Sequence, residues 1–227
     1  MSTPVSPSVG WGALHLFFRV GPGVDRGAVA AAVKACGEDD HQVVSFAVLG
    51  HKADAGFFAL GPDLWRLRAL QSSLQDAGLE LTSSYVSLTE LSEYAAGVPD
   101  EMKRARLYPR LPPEGMPAIC FYPMSKRRQP EQNWYELPFD DRKELMYGHG
   151  AVGRKFAGRI LQLITGSTGL DDWEWGVTLF GRTPDDLKEV VYTMRFDPAS
   201  ARYAEFGPFY AGMVADVDEL LNRLGRS

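Results

Sequence analysis

His41-Gln-Val-Val-Ser-Phe-Ala-Val-Leu49 and Ala55-Gly-Phe-Phe-Ala-Leu60 are two runs rich in β-branched and aromatic residues, separated only by Gly50-His-Lys-Ala-Asp54. Short apolar runs across a glycine-led turn predict two adjacent strands. On the N-terminal side, Val24 to Ala35 is Ala-rich with a helical pattern that ends at Gly37, and Trp11 to Arg19 reads as a strand. On the C-terminal side, Pro62 to Ala77 places Leu64, Leu67 and Leu70 at helical spacing, and Leu79 to Leu91 reads as a strand. The order is βαββαβ.

That order recurs. Ala118 to Tyr122 predicts a strand, and Asp140 to Phe156 a helix capped by Asp140 behind Pro138. Ile160 to Thr165 and Trp173 to Phe180 predict strands, Pro184 to Met194 a helix, and Phe206 to Met213 a last strand after a short polar segment. Asp216 to Leu224 reads as a terminal helix. The expected class is α+β, with two ferredoxin-like βαββαβ halves. Two such sheets in one chain can pack face to face or merge into a barrel-like arrangement. The divisions are a disordered Ser/Pro-rich start (1–9), an N-terminal half (10–95), a basic, Pro-rich connector (96–117) and a C-terminal half (118–227).

Length and composition exclude several classes. The 227 residues carry 24 Lys+Arg against 29 Asp+Glu, a formal charge of −5, with 45% hydrophobic residues. A net acidic chain of this kind argues against general nucleic-acid binding. Cys36 and Cys120 are the two cysteines, too few for a disulfide framework or a four-cysteine zinc site, and they fit a reducing cytosol. The N-terminus has no signal-peptide pattern and no apolar run reaches a membrane span, so a cytoplasmic location is expected.

The charge is unevenly spread. From Lys103 to Arg128 there are seven cations (Lys103, Arg104, Arg106, Arg110, Lys126, Arg127, Arg128) against Glu114, which leaves the rest of the chain at −11. The segment reads either as a solvated loop or as a pocket for an anion with several carboxylates or phosphates. Within it Ala118, Cys120, Tyr122 and Met124 alternate onto one strand face, with Lys126 two pleats beyond Tyr122. A tyrosine in a strand is usually core, and a catalytic role is the sharper alternative.

Of four histidines, His149 falls with Leu145, Val152 and Phe156 on one apolar helical face. It reads as a core histidine bonded to a carbonyl, or as an axial ligand to a metal or haem iron. His15, His41 and His51 have no second ligand at His-x-x-x-His spacing, which argues against a protein-only zinc site. Gln162 shares a strand face with Ile160 and Ile164, either paired with backbone or presented as a neutral hydrogen-bond donor. Gly148-His-Gly150-Ala-Val-Gly153 matches G-x-G-x-x-G in letters but follows a helical stretch, not a strand, and no Gly-x-Ser-x-Gly is present.

Longer motifs carry a resemblance. Arg104-Ala-Arg106-Leu-Tyr-Pro, Cys120-Phe-Tyr122-Pro-Met-Ser-Lys126, Asn133-Trp-Tyr135 and His149-Gly-Ala-Val-Gly-Arg154 occur in order. They are followed by Gly169-Leu-Asp-Asp-Trp-Glu-Trp-Gly-Val-Thr-Leu-Phe180 and by Met194-Arg-Phe-Asp-Pro-Ala-Ser200-Ala-Arg-Tyr-Ala-Glu-Phe-Gly207. Over about Gly50 to Met213 the chain resembles the coproheme decarboxylases of the chlorite dismutase superfamily, with a small insertion near Glu114 to Pro117. The resemblance implies two ferredoxin-like halves forming a dimeric α/β-barrel-like subunit, usually in a homopentamer.

It further implies His149 as the proximal iron ligand, Tyr122 as the redox-active catalytic residue and Lys126 as an aid to proton handling. Arg106, Tyr122, Pro123, Met124, Ser125, Lys126, Gln162 and Ser200 are implied as porphyrin contacts. Chlorite-degrading relatives carry an arginine where Gln162 stands, and one decarboxylase branch a histidine, so glutamine resembles the remaining decarboxylase branch. The implied substrate and redox centre is Fe-coproporphyrin III (coproheme), the oxidant hydrogen peroxide and the product haem b. A coproporphyrin ferrochelatase is the implied partner. The alternatives are chlorite dismutation or haem peroxidase activity on the same scaffold, and a non-catalytic haem carrier or sensor.

Overall fold

The computed structural model describes residues 3–224; Met1, Ser2 and residues 225–227, at the ends of the expected first and last segments, lie outside them. The N-terminal half contains β1 (Gly12–Arg19), α1 (Arg26–Cys36), β2 (Gln42–Val48), β3 (Ala55–Gly61), α2 (Leu64–Asp76) and β4 (Glu80–Thr89). The connector contains α3 (Asp100–Leu107). The C-terminal half runs β5 (Ala118–Lys126), a small hairpin β6 (Arg128–Gln129) and β7 (Gln132–Asn133), α4 (Phe139–Arg154), β8 (Ile160–Gly166) and β9 (Trp175–Gly181). It ends with α5 (Pro184–Met194), α6 (Pro198–Tyr203), β10 (Ala204–Phe206), β11 (Tyr210–Val214) and α7 (Val217–Leu224).

Each half has the ferredoxin-like strand order, β2-β3-β1-β4 in one and β8-β9-β5-β11 in the other, and every pairing is antiparallel. The two sheets merge. Leu88↔Gly166 and Thr89↔Thr165 join β4 to β8, and β11 joins β2 over Gly212↔Val48 to Val214↔Phe46. β5 is bonded to β9 on one edge and to β11 and β10 on the other, so the strands close into a barrel. At the second seam a Cβ on Gly212 would collide with the Ala47 carbonyl, so only glycine lets β11 approach β2 this closely.

Strand alternation sorts the residues into three apolar groups. Phe17, Phe46, Phe58, Phe121, Phe180 and Tyr210 fill the barrel interior. Leu14, Leu16, Phe18 and Phe57 face outward and are covered by α1, α2 and α7. Cys120, Tyr122, Val177 and Leu179 face outward on the C-terminal half, toward α5. Burying seven fully enclosed phenylalanine and many leucine side chains supplies the main drive for closure.

Several sequence expectations need correction. Asp140 does not cap α4: Pro138 holds the N-cap position with no side-chain cap bond, and Asp140 and Asp141 sit in the first turn against the positive end of the helix dipole. The single last strand is broken into β10 and β11, because Gly207 donates its N–H to Pro123 and Pro208 has none to give. The polar segment before it contains α6, capped by Asp197 with Pro198 in the first turn. The connector holds a helix where no element was expected. Residues 3–9 form no helix or strand, yet the Val5 carbonyl accepts the Leu64 N–H at 3.0 Å.

Candidate functional site

The site is built on the outward face of the C-terminal sheet. Register places Tyr122, Val177 and Ile164 in one row across β5, β9 and β8, and Cys120, Leu179 and Gln162 in the next. Val177 and Leu179 are each 1% exposed, whereas Gln162 and Ile164 are exposed. Helix α5 crosses β5 and β9, while α4 packs mainly on α5 and α6 and fully buries none of its residues. The β8 side of this face is left open, and Gln162 and Ile164 form its exposed floor, the candidate cleft.

Tyr122 lies at the covered side of this floor, stacked on Phe209 at 4.4 Å and tilted against Phe206 at 5.7 Å. The Arg195 guanidinium lies 3.9 Å over the Phe206 ring. Burial drives the Tyr122 phenol well above its ordinary range, with Cys120 adding to the effect and Arg195 opposing it. The hydroxyl therefore keeps its proton at neutral pH.

His149 projects from α4. Its Nδ1–H donates to Asp197 Oδ2 at 2.8 Å, and the same oxygen accepts the Ser200 N–H at 3.1 Å. Asp197 is 4% exposed, so it is a fixed anchor that both caps α6 and orients the imidazole. Burial lowers the His149 pKa and the Lys126 charge lowers it further, against the pull of Asp197. The ring is neutral, with Nδ1 committed and the Nε2 lone pair left for a metal.

Lys126 ends the Tyr122 face, but its ammonium turns toward the histidine side. It sits 4.0 Å over the Trp134 ring and 3.4 Å from the Ala199 carbonyl, next to Asp197. Burial brings its pKa down to about 8. Ser200 Oγ is 3.5 Å from His149 Nδ1, so it too belongs to the histidine side. Met124 stays on the cleft face. Pro123 and Ser125 alternate onto the opposite, barrel-facing side, and Ser125 Oγ accepts the Glu174 N–H at 3.2 Å; their side chains do not line the cleft.

The seven cations do not form one pocket. Lys126 is buried, Arg127 is 3.9 Å from Glu205, Arg128 is 4.0 Å from Glu174, and Lys103 pairs with Asp100. Arg104 lies over Tyr108, and Arg106 is exposed on α3. Helix α3 is the reason, since it carries Lys103, Arg104 and Arg106 off on an element of their own. Asp197, Trp134 and Arg195 were missed as site residues. Only Asp197 had a readable signal, Asp before Pro at a helix start.

His15 is a core residue: it is 0% exposed, stacked between Phe58 and Phe121 at 3.9 Å each, with Nε2 2.9 Å from Thr178 Oγ1 and Nδ1 unpartnered. Among the described residues no three His, Cys, Asp or Glu side chains converge as a metal-holding group. A carboxylate-backed imidazole of this kind is an arrangement that can supply one nitrogen ligand to a metal.

The comparisons agree on the family. The chlorite dismutase family description matches residues 26–215, and the chain belongs to that family. It is 41% identical to the coproheme decarboxylase of Staphylococcus carnosus, over 97% of this chain and 98% of that protein. It is 46% identical to a protein of Natronomonas pharaonis named as heme-binding, over 77% of this chain but only 32% of that longer protein. A solved structure described as a heme-binding protein from Thermus thermophilus superposes with a TM-score of 0.85 at 37% identity, over the whole of both chains. No helix among the described residues is long and apolar enough to cross a membrane.

Proposed function

We propose that this chain is a hydrogen-peroxide-dependent coproheme decarboxylase, which binds iron coproporphyrin III over β8 and converts two of its four propionates to vinyls, giving haem b. The observation that carries the reading is that β5 presents Tyr122 on the cleft face and, at its end, Lys126 against the Asp197–His149 pair. One strand thus connects a phenol to an axial-ligand site. The end-to-end likeness to the Staphylococcus carnosus enzyme supports the same chemistry. Each arm balances as one propionate, one peroxide and one proton going to one vinyl, carbon dioxide and two waters.

The bound iron would activate peroxide, and that chemistry belongs to the substrate. Within the chain, His149 Nε2 binds on one side while Gln162 offers a neutral amide on the cleft floor. Tyr122 would give up its phenolic proton and one electron to the oxidised substrate, the resulting tyrosyl would take a hydrogen atom from the propionate β-carbon, and loss of a second electron from that carbon radical to the substrate would release carbon dioxide and leave the vinyl. Lys126 and Ser200 act on the imidazole rather than on a propionate, and Arg106 on α3 remains available for an acid arm. In this reading the enzyme works as a cytoplasmic homopentamer supplied by a coproporphyrin ferrochelatase.

Incubation of the purified protein with iron coproporphyrin III and peroxide, followed by mass, tests the reading. Loss of two carboxyl groups per porphyrin is expected. An unchanged porphyrin with oxygen release from chlorite would replace it with chlorite dismutation, and binding without any turnover would leave a carrier.

Asp197→Asn should lower iron-porphyrin affinity about 10- to 100-fold, the usual range for losing a partner behind a metal-binding imidazole. Asparagine is also a good N-cap, so α6 should persist. The check is a Soret titration beside a far-UV spectrum; unchanged affinity would remove Asp197 from the ligand system.

A further inference from the structure

The floor of the cleft ends in a carboxylate. Gly166 continues the Gln162–Ile164 row along β8, opposite Trp175 and Met124 across β9 and β5. Glu90, the residue just after β4, folds over Gly166: a Cβ there would collide with all three atoms of its carboxyl group. Trp175 Nε1 donates to Glu90 Oε1 at 3.2 Å. No cation pairs with Glu90 among the described residues. The carboxyl group is thus held on the cleft face by glycine below and one neutral donor beside it. It lies about 13 Å along β8 from Gln162, at the periphery of any macrocycle centred there.

From this geometry we infer that Glu90 is a specificity-determining residue of the cleft, which disfavours an ionised acid arm in the quarter beside Trp175 and favours an uncharged one. The inference deepens the tetrapyrrole reading and rests on it. Every quarter of iron coproporphyrin III carries a carboxylate, whereas haem b offers vinyl groups in two. A second anion brought against Glu90 would share a single indole N–H with it, with no cation to offset the repulsion. Burial already raises the Glu90 pKa, the direction expected of a carboxylate short of compensation. A neutral vinyl meets no such penalty, so Glu90 weakens the tetracarboxylate relative to the product.

The test is a pair of Soret titrations, with iron coproporphyrin III and with haem b, on the wild-type protein and on Glu90→Gln. The amide oxygen of glutamine can still accept the Trp175 N–H, so near-UV dichroism of the tryptophans should be unchanged. The variant should bind iron coproporphyrin III about tenfold more tightly than wild type while its affinity for haem b stays within about twofold. Equal changes for both ligands, or weaker binding of the tetracarboxylate as a shared-proton pair would give, overturn the inference while leaving the tetrapyrrole reading standing. Failure of the wild-type protein to bind either porphyrin overturns both.

Discussion

Tyr122→Phe should bind iron coproporphyrin III with an affinity within about threefold of wild type and fail to convert it, with decarboxylation lowered by about 10³-fold or more. The contrast between binding and turnover follows from the packing. The Tyr122 ring is 7% exposed and held by Phe209 and Phe206, so phenylalanine fills the same space and keeps the floor of the cleft. What is lost is the hydroxyl, the phenolic group of that part of the face. Because burial holds the phenol protonated, no thiolate-like or phenolate chemistry substitutes for it; Cys120, in the neighbouring row, is itself pushed up to about 12 by burial. Mass analysis after peroxide addition reads the outcome directly. Retained conversion would take Tyr122 out of the mechanism, and lost binding would make it a packing residue only.

His149→Ala should have the opposite profile, in which affinity for the iron porphyrin falls by at least about 100-fold and the absorption spectrum changes ligation class. The side chain leaves a gap on α4 that external imidazole can fill, and added imidazole should restore the histidine-ligated spectrum. Binding of metal-free coproporphyrin should change far less, since it has no use for an axial nitrogen. The loss is not expected to unfold the protein. His149 is half-buried on a helix that seals no core residue, and Asp197 still caps α6 through Ser200 N–H. An unchanged spectrum in the variant would show that another residue holds the metal.

Local chemistry made much of the architecture legible before any coordinates. The βαββαβ repeat follows from apolar periodicity and from punctuating residues such as Gly37, Gly50 and Pro62, whose effects act within a few residues. The alternation of β5 likewise placed Tyr122 and Lys126 on one face. The shortest elements were not legible: α6 spans six residues and β10 three, too few for a period to register. The break at Gly207-Pro208 depends on Gly207 N–H finding the Pro123 carbonyl in another part of the chain, a bond with no signature in its own segment.

Counting cations could not choose between two readings for a related reason. Seven positive charges within 26 residues read as a solvated loop or as one pocket, and α3, an ion pair at Arg127 and the burial of Lys126 send them to separate places. Charge proximity along a chain does not survive the insertion of a helix, because each turn points successive side chains in different directions.

Residue order alone determined the two half-units, the face shared by Tyr122 and Lys126, and the candidacy of His149, since strand and helix periodicity operate over neighbours. Tertiary structure alone decided that the sheets close through two short seams, that Asp197 stands behind His149, and that Lys126 turns to the histidine rather than to the cleft. Those outcomes depend on groups 48 to 168 positions apart meeting at hydrogen-bond or charge range, and only the folded chain brings them there.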